Sequence, residues 1–442
     1  MSDQVAEVSA KYLADVAKTA VPVGYKQTEV GVIPEDWGVC ELQDAVNFLD
    51  GLRRPVKSGD RAKISGIYPY YGASGIVDYV NDYIFDDELI LLGEDGENIL
   101  SRNLPLVFRV SGKIWVNNHA HVMKPNECFD ITYLTEFLES LDYSLLNSGT
   151  AQPKLNKQAC LKIKVAKPPK KEQTAIANTL SDVDALISEL EKLITKKHAI
   201  KTATMQQLLT GRTRLPQFAL REDGTPKGTK PSELGEIPED WKAVALKELL
   251  KDSPKYGINA PAVPLEGKLP VYIRITDISE DGYFKPTEKV GVESPFSDLY
   301  QLADGDLVLA RTGASVGKSY LYRPEDGVLV YAGFLIKVTP EQSKLDPKFL
   351  FQYLQTERYW SWVTVNSMRS GQPGINGNEY GSLMLPWPEK EEQTAIATIL
   401  SDMDAEIQAL EQRLGKTRQI KQGMMQELLT GKTRLIKGEA HG

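Results

Sequence analysis

The sequence contains few cysteines, and the three that it has lie far apart, at Cys40, Cys128 and Cys160 of 442 residues. No two of them form a CxxC pair, which argues against a zinc ribbon and against a disulfide scaffold. Such sparse usage is typical of proteins that stay in a reducing compartment. We therefore expect a cytoplasmic protein.

Long hydrophobic runs are also missing. The first twenty residues carry charged side chains throughout, so they contain no apolar core of a signal peptide. No stretch of about eighteen apolar residues occurs anywhere in the chain. The sequence predicts no contact with a membrane.

An excess of positive charge is lacking as well, because 52 Lys and Arg face 60 Asp and Glu. The resulting formal net charge of −8 does not forbid binding to nucleic acid, since a local basic patch is sufficient. It does disfavour tight binding by this chain without help.

Catalytic motifs are absent, including a nucleophile elbow, HExxH and a DPPY-like methyl-transfer loop. The stretch GASVGKS (313–319) resembles a phosphate-binding loop, but only three residues separate its two glycines where four are required. We interpret His119 and His121 as polar surface residues, because no third ligand lies near them. The acidic stretch GEDGEN (93–98) predicts a tight turn, since it lacks the spacing of a calcium loop.

What the sequence does contain is an internal repeat. Residues 171–215 and 391–435 are identical at 26 of 45 positions with a constant offset of 220. GVIPEDW (31–37) recurs as GEIPEDW (235–241), and a QPxxN segment precedes each helical block. The chain therefore contains two copies of the same order of motifs. Because the segments between these motifs differ in sequence, the duplication suits a protein that recognises two different but related targets.

Each repeated block has apolar residues at alternating spacings of four and three, which predicts a helix of about 39 residues and about 58 Å with a coiled-coil seam. The seam residues are Ile176, Leu180, Val183, Ile187, Leu190 and Ile194 in the first block, and Ile396, Leu400, Met403, Ile407, Leu410 and Leu414 in the second. Gly211 and Gly431 fall where the helices should end, so we interpret GRT and GKT as helix caps. Internal two-fold symmetry would make the pair antiparallel; a coiled coil with another chain is the alternative.

The bodies between these motifs alternate β-branched and aromatic runs with turns, and each has a short helix near its end. This order predicts an α+β fold with two homologous domains. We divide the chain into an N-terminal segment (1–30), a first domain (31–170), a first helical block (171–215), a linker (216–234), a second domain (235–390), a second helical block (391–435) and a tail (436–442).

Polar and basic clusters beside aromatics and glycines are the candidate binding groups, since Arg, Lys, Asn and Gln on loops contact base edges and phosphates. An ordinary solvated loop accounts equally well for any single cluster. The candidates are Arg53, Arg54, Lys57, Tyr70, Tyr71, Asn117, Asn118, Gln152, Lys154, Lys255, Tyr256, Asn259, Arg274, Arg311, Thr312, Ser315, Lys318, Arg369, Gln372 and Asn376.

With these features the chain resembles the specificity subunits of type I restriction–modification systems over essentially its whole length. The resemblance is carried by the two IPEDW motifs, by YPYYGASGIVDYVNDYIF, WVNNHAHV and GDLVLARTGASVGKS in the bodies, and by the paired EQTAIA…LLTG(R/K)TRL helices. It implies two target-recognition domains that each bind one half of a bipartite, asymmetric double-stranded DNA sequence. The helices would set the gap between the halves.

The resemblance further implies that one such chain assembles with two adenine-N6 methyltransferase subunits, and that restriction subunits can join them. S-adenosylmethionine, ATP and magnesium would belong to those partners, and this chain would be non-catalytic and bind no cofactor. Arg311 and Lys318 would then meet DNA on a strand-to-turn element. The rival hypothesis is a coiled-coil scaffold that binds proteins and lacks sequence-specific DNA binding.

Overall fold

The computed structural model describes residues 21–149, 152–368 and 373–436, which fall into two compact units. The first unit contains the described residues up to Glu191 and those from Arg413 onward, and the second contains Lys192–Gln412. Within the described ranges, no helix combines the length and the apolar character that a membrane crossing needs.

Among its described residues, the first unit has twelve short strands and five short α-helices before residue 170, and parts of the two long helices complete it. The strands are β1 Tyr25–Thr28, β2 Gly31–Pro34, β3 Gly38–Glu41, β4 Val46–Phe48, β5 Ser65–Gly72, β6 Gly75–Val80, β7 Phe85–Asp86, β8 Leu89–Gly93, β9 Val107–Val110, β10 Lys113–Val116, β11 Ala120–Pro125 and β12 Lys164–Lys167. The helices are α1 Leu42–Ala45, α2 Ser58–Arg61, α3 Asn98–Ser101, α4 Ile131–Glu139 and α5 Lys157–Cys160.

Two four-stranded sheets form the body of this unit, in the orders β6-β5-β10-β7 and β4-β11-β8-β9. β8 is buried along its whole length, as its run LILLG requires, and it pairs antiparallel with β11 and β9. Two-stranded pairs, β1-β2 and β12-β3, complete the unit. We call the part of the unit that precedes residue 170 the first domain.

The second unit repeats this plan. After the long helix α6 Lys170–Leu208 and the short helix α7 Pro216–Ala219, its strands are β13 Thr229–Ser232, β14 Gly235–Pro238, β15 Lys242–Ala245, β16 Lys255–Tyr256, β17 Ala262–Pro264, β18 Val271–Ile273, β19 Val290–Val292, β20 Leu307–Ala310, β21 Ser319–Leu321, β22 Leu329–Tyr331, β23 Leu335–Val338 and β24 Met384–Trp387. Its helices are α8 Pro347–Tyr353, α9 Glu357–Ser367 and α10 Gly377–Gly381, and the long helix α11 Lys390–Leu428 follows.

Most strand pairings of the second unit match those of the first in order and direction, but in the sheet β17-β19-β18-β22 only β19-β18-β22 corresponds to β6-β5-β10, and the fourth strand, β17, lies at the edge opposite to that of β7. The sheet β16-β23-β20-β21 corresponds to β4-β11-β8-β9, and the pair β15-β24 corresponds to β12-β3. The prediction of two domains with mixed strand and helix content is confirmed, as is the prediction of two helices of 39 residues. We call the part of the second unit between residues 229 and 389 the second domain.

In the first unit, the repeated motifs meet at a buried carboxylate. Glu172 accepts hydrogen bonds from Nε1 of Trp37 at 3.0 Å and from Nε and Nη2 of Arg434 at 2.6 and 2.7 Å. Arg434 also donates to both carboxylate oxygens of Asp36 at 3.0 and 2.8 Å, which holds the pKa of Asp36 below its usual value. We call these four residues the first anchor. It joins the IPEDW motif, the start of α6 and the segment after α11.

The second unit contains the same arrangement, the second anchor, at the equivalent residues. Glu392 accepts from Nε1 of Trp241 at 2.9 Å and from Nε and Nη2 of Arg214, both at 2.6 Å. Arg214 also donates to Asp240 at 2.8 and 3.2 Å. The Glu, Asp, Trp and Arg that recur in the repeated motifs thus form one hydrogen-bonded cluster, and this cluster occurs once in each unit.

The glycines after the long helices serve these anchors as well as ending the helices. Gly211 and Gly431 have φ of 71° and 69°, which confirms the predicted caps because this conformation suits glycine. A Cβ at Gly211 would lie 2.4 Å from Cδ of Pro238, and one at Gly431 would lie 2.5 Å from Cδ of Pro34. Each helix therefore ends against the proline of an IPEDW motif.

A second repeated contact fixes the start of each long helix. Nε2 of Gln173 donates to the carbonyl of Pro168, while its Oε1 accepts the backbone N–H of Asp130, the residue that caps α4. Gln393 makes the same contacts with Pro388 and with Asp346, the residue that caps α8. Both glutamines are completely buried, so the E-Q pair of each EQTAIA motif holds its helix to its own domain.

Glu392→Gln should destabilise the second unit by about 3 kcal/mol, because it removes one partner of a buried charged pair. Hydrogen exchange followed by mass spectrometry should show faster exchange in β14 and in the first turns of α11. Glu172→Gln is the matched variant, and it should act on β2 and the first turns of α6 instead. An unchanged β14 in the Glu392 variant would contradict a stabilising role for the anchor.

Candidate nucleic-acid interface

In the first domain, the loop that follows β8 is held by the QPxxN segment. The backbone N–H of Leu155 donates to the carbonyl of Glu94 at 2.7 Å, and that of Gly96 donates to the carbonyl of Pro153 at 3.0 Å. The N–H of Glu94 donates in turn to the carbonyl of His119. Asp95 therefore forms an antiparallel bridge with Lys154 in place of the predicted tight turn, and GEDG lies between the QPxxN segment and the residue that precedes β11.

In the second domain, the loop that follows β20 is held in the same way. Ile375 N–H donates to the carbonyl of Arg311 at 2.9 Å, and Gly313 N–H donates to that of Pro373 at 3.1 Å. The N–H of Arg311 donates to the carbonyl of Phe334, which precedes β23. Arg311 therefore occupies the position that Glu94 occupies in the first domain.

The loop of the first domain is internally neutralised. Nη1 of Arg53 binds Glu94 at 2.7 Å, Nζ of Lys154 lies 3.3 Å from the same carboxylate, and Arg53 also lies 3.7 Å from Asp50. His119 pairs with Asp95 at 2.8 Å. Arg53 and Lys154 were predicted to bind DNA, and they are here committed to a carboxylate of their own domain.

His121 is the buried centre of this network. Its side chain is 1% exposed, and Nδ1 lies 2.8 Å from Asp50 while Nε2 lies 3.1 Å from the carbonyl of Leu155. Burial opposes the charged imidazolium, but hydrogen bonds with Asp50 and Cys160 and the charge of Asp50 outweigh it and raise the pKa of His121 to about 10. The interpretation of both histidines as surface residues is wrong for His121, because its partner Asp50 comes from another loop of the domain. His119 is half-exposed, as expected.

The other candidates of the first domain divide into structural and exposed residues. Tyr70 is 1% exposed and its hydroxyl accepts the N–H of Val56 at 2.9 Å, while Asn117 is 7% exposed and accepts the N–H of His119 at 2.7 Å. Tyr71 is half-buried. The exposed candidates are Arg54, Lys57, Asn118 and Gln152.

A shallow cavity of about 400 Å³ lies beside these residues. It is lined by residues 72–77 of the β5–β6 hairpin together with Asp95, Asn117 and His119. Arg54 lies near this edge, since its N–H donates to the carbonyl of Val116. Among the described residues no cluster of metal-ligating side chains occurs there or elsewhere.

Arg311 is held differently from Arg53. Its guanidinium lies over the ring of Tyr256, 4.7 Å from the ring centroid, and the Tyr256 hydroxyl accepts the N–H of Gly377 at 3.1 Å. Nε of Arg311 is buried without a hydrogen-bond partner. Within the described ranges no carboxylate pairs with this guanidinium.

The stretch RTGASVGKS joins two antiparallel strands, β20 and β21, through a single 3-10 turn at Gly313–Ser315. A phosphate-binding loop would lead into an α-helix and would leave its amides free. Here the N–H groups of Gly313, Val316, Gly317 and Lys318 all donate to backbone carbonyls. The predicted strand-to-turn element is confirmed, and Thr312 and Ser315 lie half-buried on it.

The remaining candidates of the second domain are partly occupied by internal contacts. Lys318 pairs with Glu280 at 2.7 Å, Arg274 makes a two-pronged contact with Asp277 at 2.9 and 2.8 Å, and Lys255 pairs with Asp252 at 3.0 Å. Asn376 caps α10 by accepting the N–H of Glu379, and Asn259 is exposed. Arg369 and Gln372 lie outside the described residues. Contact of any candidate with DNA stays a prediction.

The predicted seam residues of both long helices are protected from solvent. Ile176, Leu180, Leu190, Ile396, Leu400 and Ile407 are at most 4% exposed. Val183, Ile187, Ile194, Met403, Leu410 and Leu414 are half-buried. No seam position is exposed, whereas the flanking Leu186, Leu193 and Ile200 are.

Sequence reasoning missed the carboxylates that decide which cations are free, above all Asp50 and Glu94. It also missed the roles of Glu172 and Arg434, although their identity in the two repeats was a usable signal. The ion pair between Glu136 and Lys421 of α11 was missed too. The two charged groups lie 3.1 Å apart, and burial raises the pKa of the Glu136 carboxyl group.

Two homologous domains with equivalent loops of different chemistry define a protein built by internal duplication. The sequence model of the type I restriction modification DNA specificity domain matches residues 34–202 and again residues 238–422. The chain therefore belongs to the type I restriction–modification DNA specificity family.

Individual relatives agree with this assignment. The MjaVIII specificity subunit of Methanocaldococcus jannaschii is 29% identical over 425 residues, which cover 91% of this chain and 94% of the relative. The EcoDI specificity subunit of Escherichia coli is 24% identical over 407 residues, which cover 87% of this chain and 85% of the relative. The S subunit of M. genitalium has a similar fold, with a TM-score of 0.59, 15% identity and coverage of 93% of this chain and 98% of that one.

Asp50→Asn should destabilise the first domain by about 3 kcal/mol, because it leaves the charged His121 buried without its counter-charge. The pKa of His121 is raised from 6.5, so the contribution of its charged form to the stability of the folded domain is complete below pH 6.5 and disappears as the pH rises toward 10. The pKa of Asp50 is lowered from 3.8, so its contribution is present above that pH and disappears as the pH falls.

Thermal unfolding of wild type and Asp50→Asn across pH 4–10 should therefore give the largest difference in midpoint near the acidic end of this range. Asp252→Asn, which removes an exposed ion pair in the second domain, is the control and should differ little from wild type. A difference that grows from pH 6.5 to 10 would contradict a charged His121.

Proposed function

We propose that this chain is the non-catalytic specificity subunit of a type I restriction–modification complex. In this proposal each domain binds one half of a bipartite, asymmetric double-stranded DNA target. The observation that carries it is the double match to the specificity domain, at residues 34–202 and 238–422. A chain with two copies of one DNA specificity domain suits a target that has two separate halves.

The asymmetry of the target follows from the loops. Glu94 and Arg311 occupy equivalent positions with the same backbone hydrogen bonds, yet one is a neutralised carboxylate and the other a guanidinium that pairs with no carboxylate of the described residues. Arginine can donate to the carbonyl and ring-nitrogen acceptors of a base edge, whereas Glu94, which is already paired with Arg53 and Lys154, cannot donate to them. The two halves should therefore differ in sequence.

We also propose that α6 and α11 pair as an antiparallel coiled coil whose length sets the gap between the half-sites. Support comes from ion pairs inside each unit. In the second unit Lys197 pairs with Glu406 at 2.6 Å and Lys201 with Asp404 at 2.5 Å, so residue numbers rise on one helix as they fall on the other.

The first unit offers the matching contacts. Lys421 pairs with Asp184 at 2.8 Å and Arg418 with Glu191 at 2.6 Å, again in opposite directions along the two helices. Protection of the twelve seam residues is a further support, because such a narrow apolar stripe needs a facing helix.

The partners in this proposal are two adenine-N6 methyltransferase subunits for each specificity chain, with restriction subunits able to join. S-adenosylmethionine, ATP and magnesium would be bound by those subunits. The net charge of −8, together with internally paired cations such as Arg53 and Arg274, favours an assembly in which the partners supply much of the contact with phosphates. A coiled-coil scaffold for proteins remains the competing function.

The function is tested by sequencing DNA for N6-methyladenine in cells that contain the partner methyltransferase with or without this chain. We expect methylation in one two-part motif with a fixed gap, and only when this chain is present. A scaffold would give no motif. The control is the same methyltransferase with another specificity chain, which shows that the enzyme is active.

The role of the helices is tested by inserting one heptad into both α6 and α11 at equivalent positions, which keeps the seam in phase. Seven residues add about 10 Å, or roughly three base pairs. The gap in the methylated motif should lengthen while both half-sites stay the same. An unchanged gap in a methylating variant would refute the spacing role, and insertion into α6 alone is the control for loss of pairing.

A further inference from the structure

Arg311 differs from the other arginines that surround the candidate loops. Arg53 is bound by Glu94, and Arg274 by both carboxylate oxygens of Asp277. Arg311 has no such partner among the described residues, although it follows a fully buried strand and its backbone is hydrogen-bonded on both sides. An arginine held this firmly without a counter-charge has its donors available for a ligand.

The orientation of this guanidinium is fixed by its surroundings. It lies over the ring of Tyr256 at 4.7 Å, and Tyr256 is itself held through its hydroxyl by the N–H of Gly377. Nε is buried without a partner, so the two terminal nitrogens remain as the donating edge. A planar pair of donors in a fixed plane matches two adjacent acceptors better than a single one.

Guanine presents such a pair, O6 and N7, in the major groove, and arginine is the side chain that most often binds them. Phosphate oxygens can also accept both prongs of an arginine, but a contact to them carries no sequence information. The equivalent position in the first domain is Glu94, whose carboxylate cannot donate to these acceptors.

We propose that Arg311 recognises a guanine in the half-site of the second domain through a two-pronged contact to O6 and N7, with Tyr256 as the residue that orients it. This inference rests on the proposed function, because it requires that the second domain binds DNA. It goes further in naming the base, the groove and the residue, and it assigns Tyr256 a positioning role.

The test uses the full chain with its methyltransferase partner on a DNA library in which every base of the motif is randomised, and it reads the relative methylation rate for each base. Wild type should require a G·C pair at some position. Arg311→Gln should reduce the preference for that pair by roughly 5- to 150-fold and leave the other positions unchanged.

Arg311→Lys separates guanine from phosphate. Lysine keeps the charge but loses the planar pair of donors, so it should lose part of the guanine preference, though less than Gln does, because an ammonium group can still donate to O6 and N7. A phosphate contact would instead leave the motif intact in every Arg311 variant and lower methylation at all sites together. That outcome would overturn the assignment.

Tyr256→Leu should weaken the same preference and no other, which a purely structural tyrosine would not do. Arg323→Gln is the matched control, because Arg323 also lies over a tyrosine, Tyr283, at 3.9 Å but lies away from this loop. It should leave the motif unchanged.

Failure of the inference and failure of the function are distinguishable. A wild-type chain that directs no motif refutes the proposed function. A wild-type motif with no base pair that depends on Arg311, or with an A·T pair that does, refutes the guanine contact and leaves the function intact.

Discussion

The structure depends on two buried carboxylates, Glu172 and Glu392, each 2% exposed. A carboxylate in this environment is strongly destabilising unless it is paired and hydrogen-bonded. Each is satisfied by a tryptophan N–H and an arginine fork that come from separate motifs. Each anchor needs three segments in place before its carboxylate is stabilised: the β-hairpin that carries the IPEDW motif, the start of one long helix, and the segment that follows the other long helix. Folding of each unit therefore joins these three segments cooperatively.

This dependence explains which parts of the fold could be predicted from the sequence. Helical periodicity and repeat identity are local signals, so two units and two helices of 39 residues followed from them directly. The anchor could not be predicted, because repeat identity shows that Glu172 and Arg434 matter without showing that they meet. Pairing between residues so distant in the chain is settled by tertiary structure alone.

The candidate site was less predictable for a related reason. Arg53 and Arg311 look alike in the sequence, since both lie in glycine-rich loops beside aromatics. What separates them is a carboxylate: Glu94 lies 2.7 Å from Arg53, whereas the position equivalent to Glu94 is Arg311 itself. The sequence shows which charged residues are present. Which of them are neutralised depends on the tertiary structure, because the sheets bring separate loops together.

The loops also show how recognition can change while the fold stays constant. The hydrogen bonds that recur between each loop and the described part of its QPxxN segment run between backbone atoms, and in the first domain the Lys154 and Glu94 side chains pair in addition. A side chain at position 94 or 311 can therefore change from acidic to basic without loss of the backbone bonds. Internal compensation, such as Arg53 and Lys154 around Glu94, then keeps the altered loop stable.

The two anchors have the same geometry but different chain topology. Arg214 and Asp240 in the second anchor are joined by an intervening connection that includes α7, whereas Arg434 and Asp36 in the first anchor lie at sequence positions almost four hundred residues apart. The same cluster thus forms between residues joined by a short connection and between residues far apart in the sequence. The connection at residues 216–228 also contributes to the second anchor, because its Lys227 pairs with Asp240 at 2.8 Å and its Arg221 pairs with the neighbouring Glu239 at 2.7 Å.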